Sequence, residues 1–247
     1  MLKLAANLSF LFQDVPFLDR FAAAARVGFR GVEYVSPYAC APQEIARCLA
    51  DSHVEQVLFN LGLGDWEAGE RGLAALPGRE QAFAESVELA LEYARPLGCI
   101  QLHAMAGIPA ADMPLSECEA VYVHNLRAAA TRLQAHGMRL LIEPINIRDM
   151  PGYFLTTPRQ ARRIMEAVDS ANLFLQLDLY HCQVMQGDLA HTLETYHDCT
   201  SHIQIAGNPH RHEPDIGEIY YPYLFDLIER LGYRGWIGCE YHPRAGT

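Results

Sequence analysis

The residues that could do chemistry in this chain stand at the ends of short apolar runs. Leu140-Leu141-Ile142 leads into Glu143, Phe174-Leu175-Gln176-Leu177 into Asp178, and Trp236-Ile237-Gly238-Cys239 into Glu240. A fourth run carries Gln204, with His202 two residues earlier and so on the same face of an extended strand. All four side chains offer oxygen. Three carboxylates and an amide suit a hard divalent cation such as Mg²⁺ or Mn²⁺. Brought together at an apolar mouth, the carboxylates would repel one another and raise their pKa values, and a divalent cation offsets most of that penalty. Any one of them alone reads more simply as a solvated strand end. Four oxygen donors after such apolar runs favour a metal site formed by Glu143, Asp178, Gln204 and Glu240.

Other polar positions carry two readings each. His181 follows Asp178 by three residues and could hold a substrate oxygen, or bond to loop backbone. His103, at the end of another run, poses the same choice. Arg211 lies in Asn208-Pro209-His210-Arg211-His212-Glu213-Pro214. Its planar guanidinium suits a substrate carboxylate, or a surface ion pair with Glu213. Trp66 could roof a site or pack in a core. No Gly-x-Ser-x-Gly elbow and no phosphate-binding GxxxxGK[ST] is present, so nucleophilic ester chemistry and nucleotide hydrolysis lack support.

Strands that end in such residues need a frame to aim them. Eight apolar runs read as strands: 2–7, 31–35, 54–60, 99–104, 139–144, 173–178, 202–206 and 236–240. Several are continuously aliphatic, as strands buried on both faces are. Amphipathic stretches alternate with them at 17–27, 42–50, 79–94, 117–136, 158–168, 189–197 and 221–231. Gly28, Gly137 and Gly232 stop three of these, and Thr157-Pro158 starts another with a cap and a first-turn proline. Strict alternation predicts parallel strands with right-handed crossovers. Eight strands predict one closed α/β barrel over residues 1–247, whose site lies at the C-terminal strand ends. The open doubly wound sheet would want a glycine-rich fingerprint after its first strand, where Asn7-Leu8-Ser9-Phe10 stands instead. Residues 62–78 read as a loop over the mouth. An eighth barrel helix has no room between Glu240 and Thr247, which predicts an exposed apolar strip beside the first and last strands, covered by a partner chain or open to solvent.

The net charge is −11 and half the residues are hydrophobic, which suits a globular protein and disfavours long-range attraction to nucleic acid or anionic membrane. Seven cysteines without a CxxC pair suit free thiols and a cytoplasmic setting. Neither a signal peptide nor a membrane span is expected. Homo-oligomerisation is left open.

Longer phrases carry a family resemblance. Phe29-Arg30-Gly31-Val32-Glu33-Tyr34, Gly64-Asp65-Trp66-Glu67-Ala68-Gly69-Glu70-Arg71-Gly72, Pro77-Gly78-Arg79-Glu80, Leu141-Ile142-Glu143-Pro144-Ile145-Asn146, Asn208-Pro209-His210-Arg211, Gly217-Glu218-Ile219 and Gly238-Cys239-Glu240-Tyr241 resemble the hydroxypyruvate isomerase family, over essentially the whole chain. The resemblance implies a xylose-isomerase-like (β/α)8 TIM barrel, an isomerase of carbohydrate and glyoxylate metabolism. It implies metal ligands at Glu143, Asp178, Gln204 and Glu240, with Glu143 and Glu240 as the acid/base pair and His181 at a substrate-binding position. The implied reaction interconverts hydroxypyruvate and tartronate semialdehyde by an enediolate proton transfer. A 2-oxo-tetronate or a ketose undergoing 3-epimerisation would use the same chemistry. A metal-dependent phosphodiesterase or a non-catalytic sugar-acid sensor are the readings from other classes. Members commonly carry lysine where this chain has His242, and continue past Thr247 with a final helix.

Overall fold

The computed structural model describes residues 2–247. Eight strands form a closed barrel in sequence order: β1 (Lys3–Asn7), β2 (Gly31–Tyr34), β3 (Glu55–Asn60), β4 (Gln101–His103), β5 (Arg139–Ile142), β6 (Leu173–Asp178), β7 (Thr200–Ile205) and β8 (Trp236–Cys239). Every neighbouring pair is parallel, and β8 closes on β1 with Leu4 opposite Ile237. Parallel pairing demands crossovers, and helices supply them. They are α1 (Arg20–Arg26), α2 (Pro42–Ser52), α3 (Glu80–Leu97), α4 (Leu115–Gln134), α5 (Pro158–Val168), α6 (Leu179–Met185), α7 (Leu189–Tyr196) and α8 (Tyr221–Arg230). A 3₁₀ turn at Phe17–Asp19 precedes α1.

Local chemistry sets these boundaries. Thr157 accepts the Gln160 amide at 3.2 Å and Pro158 occupies the first turn of α5. Gly98 ends α3 in the left-handed region, where a Cβ would be penalised. Between β6 and β7 there are two helices where the sequence pattern showed one, because Asp178 both ends β6 and caps α6. Among the described residues no helix follows β8. There Thr247 Oγ1 accepts the Phe12 amide at 2.8 Å. Of the expected apolar strip, Leu4 on β1 is exposed, whereas its partner Ile237 is buried.

Inside, the barrel is layered. Ala5, Val57, Leu58 and Leu141 form an apolar floor with Phe174 and Trp236 against it. Above this floor the interior turns polar: Asn7, Glu33, Gln176, His202 and Gln204 are all buried. The main apolar core lies outside the strands, between barrel and helices, and includes Phe21, Tyr34, Phe59, Tyr122 and Leu126. No described helix is long and apolar enough to cross a membrane.

Candidate active site

The strand ends open into a cavity of about 680 Å³ lined by Glu143, His103, His181, Arg211, Glu240 and Trp66, among others. The barrel therefore gathers five of the strand-end and loop candidates, with Trp66, at one mouth. Each arrives by a different device. Glu143 follows β5 and is buried. Asp178 Oδ1 accepts the backbone N–H of Tyr180 at 2.7 Å and of His181 at 3.3 Å, which leaves Oδ2 for the site. Glu240 follows β8, and both its oxygens are engaged: Asn7 Nδ2 donates to Oε1 at 3.0 Å and Arg211 to Oε2 at 2.8 Å.

Arg211 is the charge that holds the acids together. Its guanidinium lies 3.5 Å from Asp178 Oδ2 and stacks near Phe10 and Tyr180, with ring centroids at 4.8 and 5.2 Å. Its backbone adopts φ 55°, a left-handed conformation rare for a non-glycine residue, in the loop entered by the cis Asn208–Pro209 peptide. The surface pair with Glu213 does not form; Arg244 takes that partner instead.

Burial controls the electrostatics. Desolvation raises the Glu143 carboxyl well above the usual range, and the neighbouring Glu240 and Asp178 charges raise it further. Glu240 is raised to about 8, again by burial, with Arg211 pulling the other way. Asp178 is raised by burial and restrained by Arg211 and its two backbone donors. The histidines are held neutral: desolvation takes His103 down to about 3 and His181 well below its ordinary value.

Glu143, Asp178 and His181 form the tight group of potential ligands, with one atom of each within 4.8 Å of the others. Glu143 Oε1 is buried without a hydrogen-bond partner. An orphaned carboxylate oxygen beside two further raised carboxyls fits a divalent cation. His181 is less suited than its position suggests. Its Nδ1 faces the Asn146 side-chain amide at 2.6 Å and the Asn146 N–H at 3.4 Å, both donors. That closes Nδ1 to a metal, while Nε2 faces Glu143 and Asp178 at 3.9 and 3.6 Å and also the Arg211 guanidinium, a donor, at 3.4 Å.

Gln204 lies one layer deeper. Its Nε2 donates to Glu33 at 2.8 Å and its Oε1 accepts from Gln176 at 2.7 Å. The second lone pair of that carbonyl remains for a cation. His103 Nδ1 faces Asn60 Oδ1 at 3.2 Å and Glu143 Oε2 at 3.8 Å, two acceptors, which places its hydrogen on Nδ1 and leaves Nε2 an acceptor. Trp66 is partly exposed at the rim, with Arg71 stacked 3.8 Å above its ring.

Sequence reasoning missed Asn7, Glu33 and Asn60. They end or nearly end β1, β2 and β3, so the same search for strand-end polar residues would have found them. It also missed Asn146 and Asp149, loop residues whose pairing with His181 and Tyr180 only the fold reveals.

A family model described as xylose isomerase-like TIM barrel matches residues 21–247. Over 247 residues the chain is 53% identical to a 2-oxo-tetronate isomerase of Cupriavidus necator, covering 100% of this chain and 95% of that protein. It is 47% identical to the hydroxypyruvate isomerase of Escherichia coli, covering 100% and 96%. A crystal structure described as AP endonuclease, family 2, from Brucella melitensis superposes with a TM-score of 0.98 at 50% identity, covering 100% of this chain and 95% of that one.

Proposed function

We propose, from the premise that this chain belongs to the xylose isomerase-like TIM barrel family, that it is an enzyme isomerising a small 2-oxo acid with a hydroxyl on C3. Hydroxypyruvate, converted reversibly to tartronate semialdehyde, is the simplest such acid. The observation that carries this reading is two buried glutamates, Glu143 and Glu240, lining one cavity with Arg211 and a neutral His181.

A divalent cation, Mg²⁺ or Mn²⁺, would be held by Glu143, Asp178 and Glu240, with the Gln204 carbonyl as fourth donor. When bound it supplies Lewis-acid polarisation of the substrate carbonyl. The remaining chemistry belongs to the chain. Arg211 offers a planar donor edge to the substrate carboxylate, its orientation fixed by Phe10 and Tyr180. With its hydrogen on Nε2, as the Asn146 donors at Nδ1 favour, His181 donates to a substrate oxygen. One glutamate of the pair removes the C3 proton, giving an enediolate, and the other delivers a proton to C2. The hydroxyl proton moves from O3 to O2, so the product is an aldehyde with a C2 hydroxyl and no proton is gained or lost. Raised carboxyl pKa values fit this role, because a carboxylate that is costly to ionise is a stronger base.

A four-carbon 2-oxo-tetronate is the second reading. The cavity of about 680 Å³ exceeds what a three-carbon acid fills, and the 53% identical relative is named for that substrate. A nucleic-acid substrate is disfavoured: the chain carries a net charge of −11, and the described residues hold one tight ligand group rather than a multi-metal cluster.

Proton NMR of the metal-loaded protein in D₂O, with each acid in turn, tests the reading. Deuterium uptake at C3 with aldehyde formation is expected. A protein that binds either acid without exchanging any C–H proton would be a sensor, and the enzymatic reading would be withdrawn.

A further inference from the structure

Beneath the mouth lies a carboxylate that the proposed reaction does not use. Glu33 on β2 is 1% exposed and points into the barrel axis. Its Oε1 accepts from Asn7 Nδ2 at 3.1 Å and from Gln204 Nε2 at 2.8 Å. Its Oε2 lies 2.7 Å from His202 Nε2, itself fully buried. The same Asn7 Nδ2 donates to Glu240 Oε1 at 3.0 Å. Room for the Glu33 carboxylate is made by Gly238 on β8, where any Cβ would overlap it.

Small parallel barrels ordinarily fill such a layer with branched aliphatic side chains. Buried polar groups are a poor way to gain stability, since well-packed apolar residues of like volume often do as well or better. The polar layer here has a direction instead. Every hydrogen bond that the Glu33 side chain accepts comes from a group that also serves the mouth. Glu33 Oε1 accepts both the Asn7 and the Gln204 amide. It therefore fixes which way the Gln204 amide faces, nitrogen down and carbonyl away, and it fixes the Asn7 amide so that its nitrogen meets Glu240. Glu240 is then held from below by Asn7 and from above by Arg211, which stops its carboxylate from rotating.

We infer that Glu33, seated against His202 and acting through Asn7 and Gln204, is the positioning residue that fixes the orientation of Glu240 and of the Gln204 carbonyl. This rests on the isomerase reading for its catalytic consequence, though not for the orientation itself. Supporting groups of this kind, orienting residues one step from the chemistry, commonly matter by about 10–100-fold.

The test uses Glu33→Gln and His202→Gln beside His202→Leu in the full chain, with two readouts. The first is steady-state turnover of the metal-loaded enzyme. Glu33→Gln is expected to lower kcat about 30-fold with KM within about threefold. His202→Leu should follow it, and His202→Gln, which keeps a polar group beside Glu33 Oε2, should recover most of the loss. The second readout is the side-chain amide NMR signal of Asn7. In the parent protein it should exchange slowly with solvent, being clamped by two carboxylates, and in Glu33→Gln it should exchange at least about tenfold faster. A folded Glu33→Gln protein with unchanged kcat and a still-protected Asn7 amide overturns the inference. Should the parent turn over neither acid, the isomerase reading fails, and the Asn7 signal alone decides the positioning role. Were Glu33→Gln to unfold, the two His202 variants carry the same comparison, and equal kcat in both would overturn it.

Discussion

Glu143 and Glu240 differ in their surroundings more than in their chemistry. Both are buried carboxylates that follow barrel strands, β5 and β8, yet Glu240 has a donor on each oxygen whereas Glu143 Oε1 has none. The proposed proton-transfer role requires an ionisable oxygen at each position, so exchange for an isosteric amide should remove it without altering shape. Glu143→Gln and Glu240→Gln are each expected to lower kcat by at least about 10³-fold, with melting temperatures close to that of the parent. Stopped-flow or coupled assays on well-folded variants measure this, and near-normal turnover in either one would take that residue out of the proton path. The place of these glutamates at the mouth was legible in the sequence because several oxygen donors follow apolar runs together, a pattern that no single one of them carries. The histidine tautomers were not. They depend on Asn60, Asn146 and the loop backbone, partners distant in sequence that only folding brings near.

At the scale of elements, Asp178 illustrates how one side chain serves structure and site together. It ends β6, and its Oδ1 caps α6 while Oδ2 faces Arg211. The two duties separate under mutation. Asp178→Asn keeps an oxygen for the cap and loses the charge, so metal affinity should fall at least about tenfold with little change in stability. Asp178→Ala loses both, and should cost about 1 kcal/mol more in unfolding free energy than the asparagine variant. Calorimetric metal titration and denaturant melts of the two proteins, taken side by side, decide it; equal metal binding by parent and Asp178→Asn would remove Asp178 from the ligand set. The short α6 itself escaped sequence reading because Leu179–Met185 spans only two turns and shows no clear apolar period. By contrast the strands were legible because parallel strands covered on both faces read as unbroken aliphatic runs. Barrel closure followed from counting them.

For the whole molecule, the question is what it costs to keep an acidic cluster inside a closed barrel. Folded-state pKa values of Glu143, Asp178 and Glu240 all lie above those of free carboxyls, so between the ordinary carboxylate range and about pH 8 the folded protein binds more protons than the unfolded chain. Stability must then fall as pH rises through that window. The buried histidines act in the opposite sense, because His103 and His181 have depressed values and favour the folded state only above the ordinary histidine pKa of 6.5. Below that value the two groups oppose each other; above it the carboxyls act alone. Metal-chelated protein is therefore expected to lose several degrees of melting temperature from about pH 6.5 to about pH 8.5, since about 1 kcal/mol moves a chain of this size by about 2–4 °C. A saturating divalent cation should flatten the slope, because a bound cation favours the ionised carboxylates that the bare site penalises. Differential scanning calorimetry across that range, with chelator and with Mn²⁺, gives both curves. A chelated protein whose stability stays level or climbs above pH 6.5 would mean that Arg211 alone neutralises the cluster, and that the mouth of the barrel has no electrostatic need of a metal.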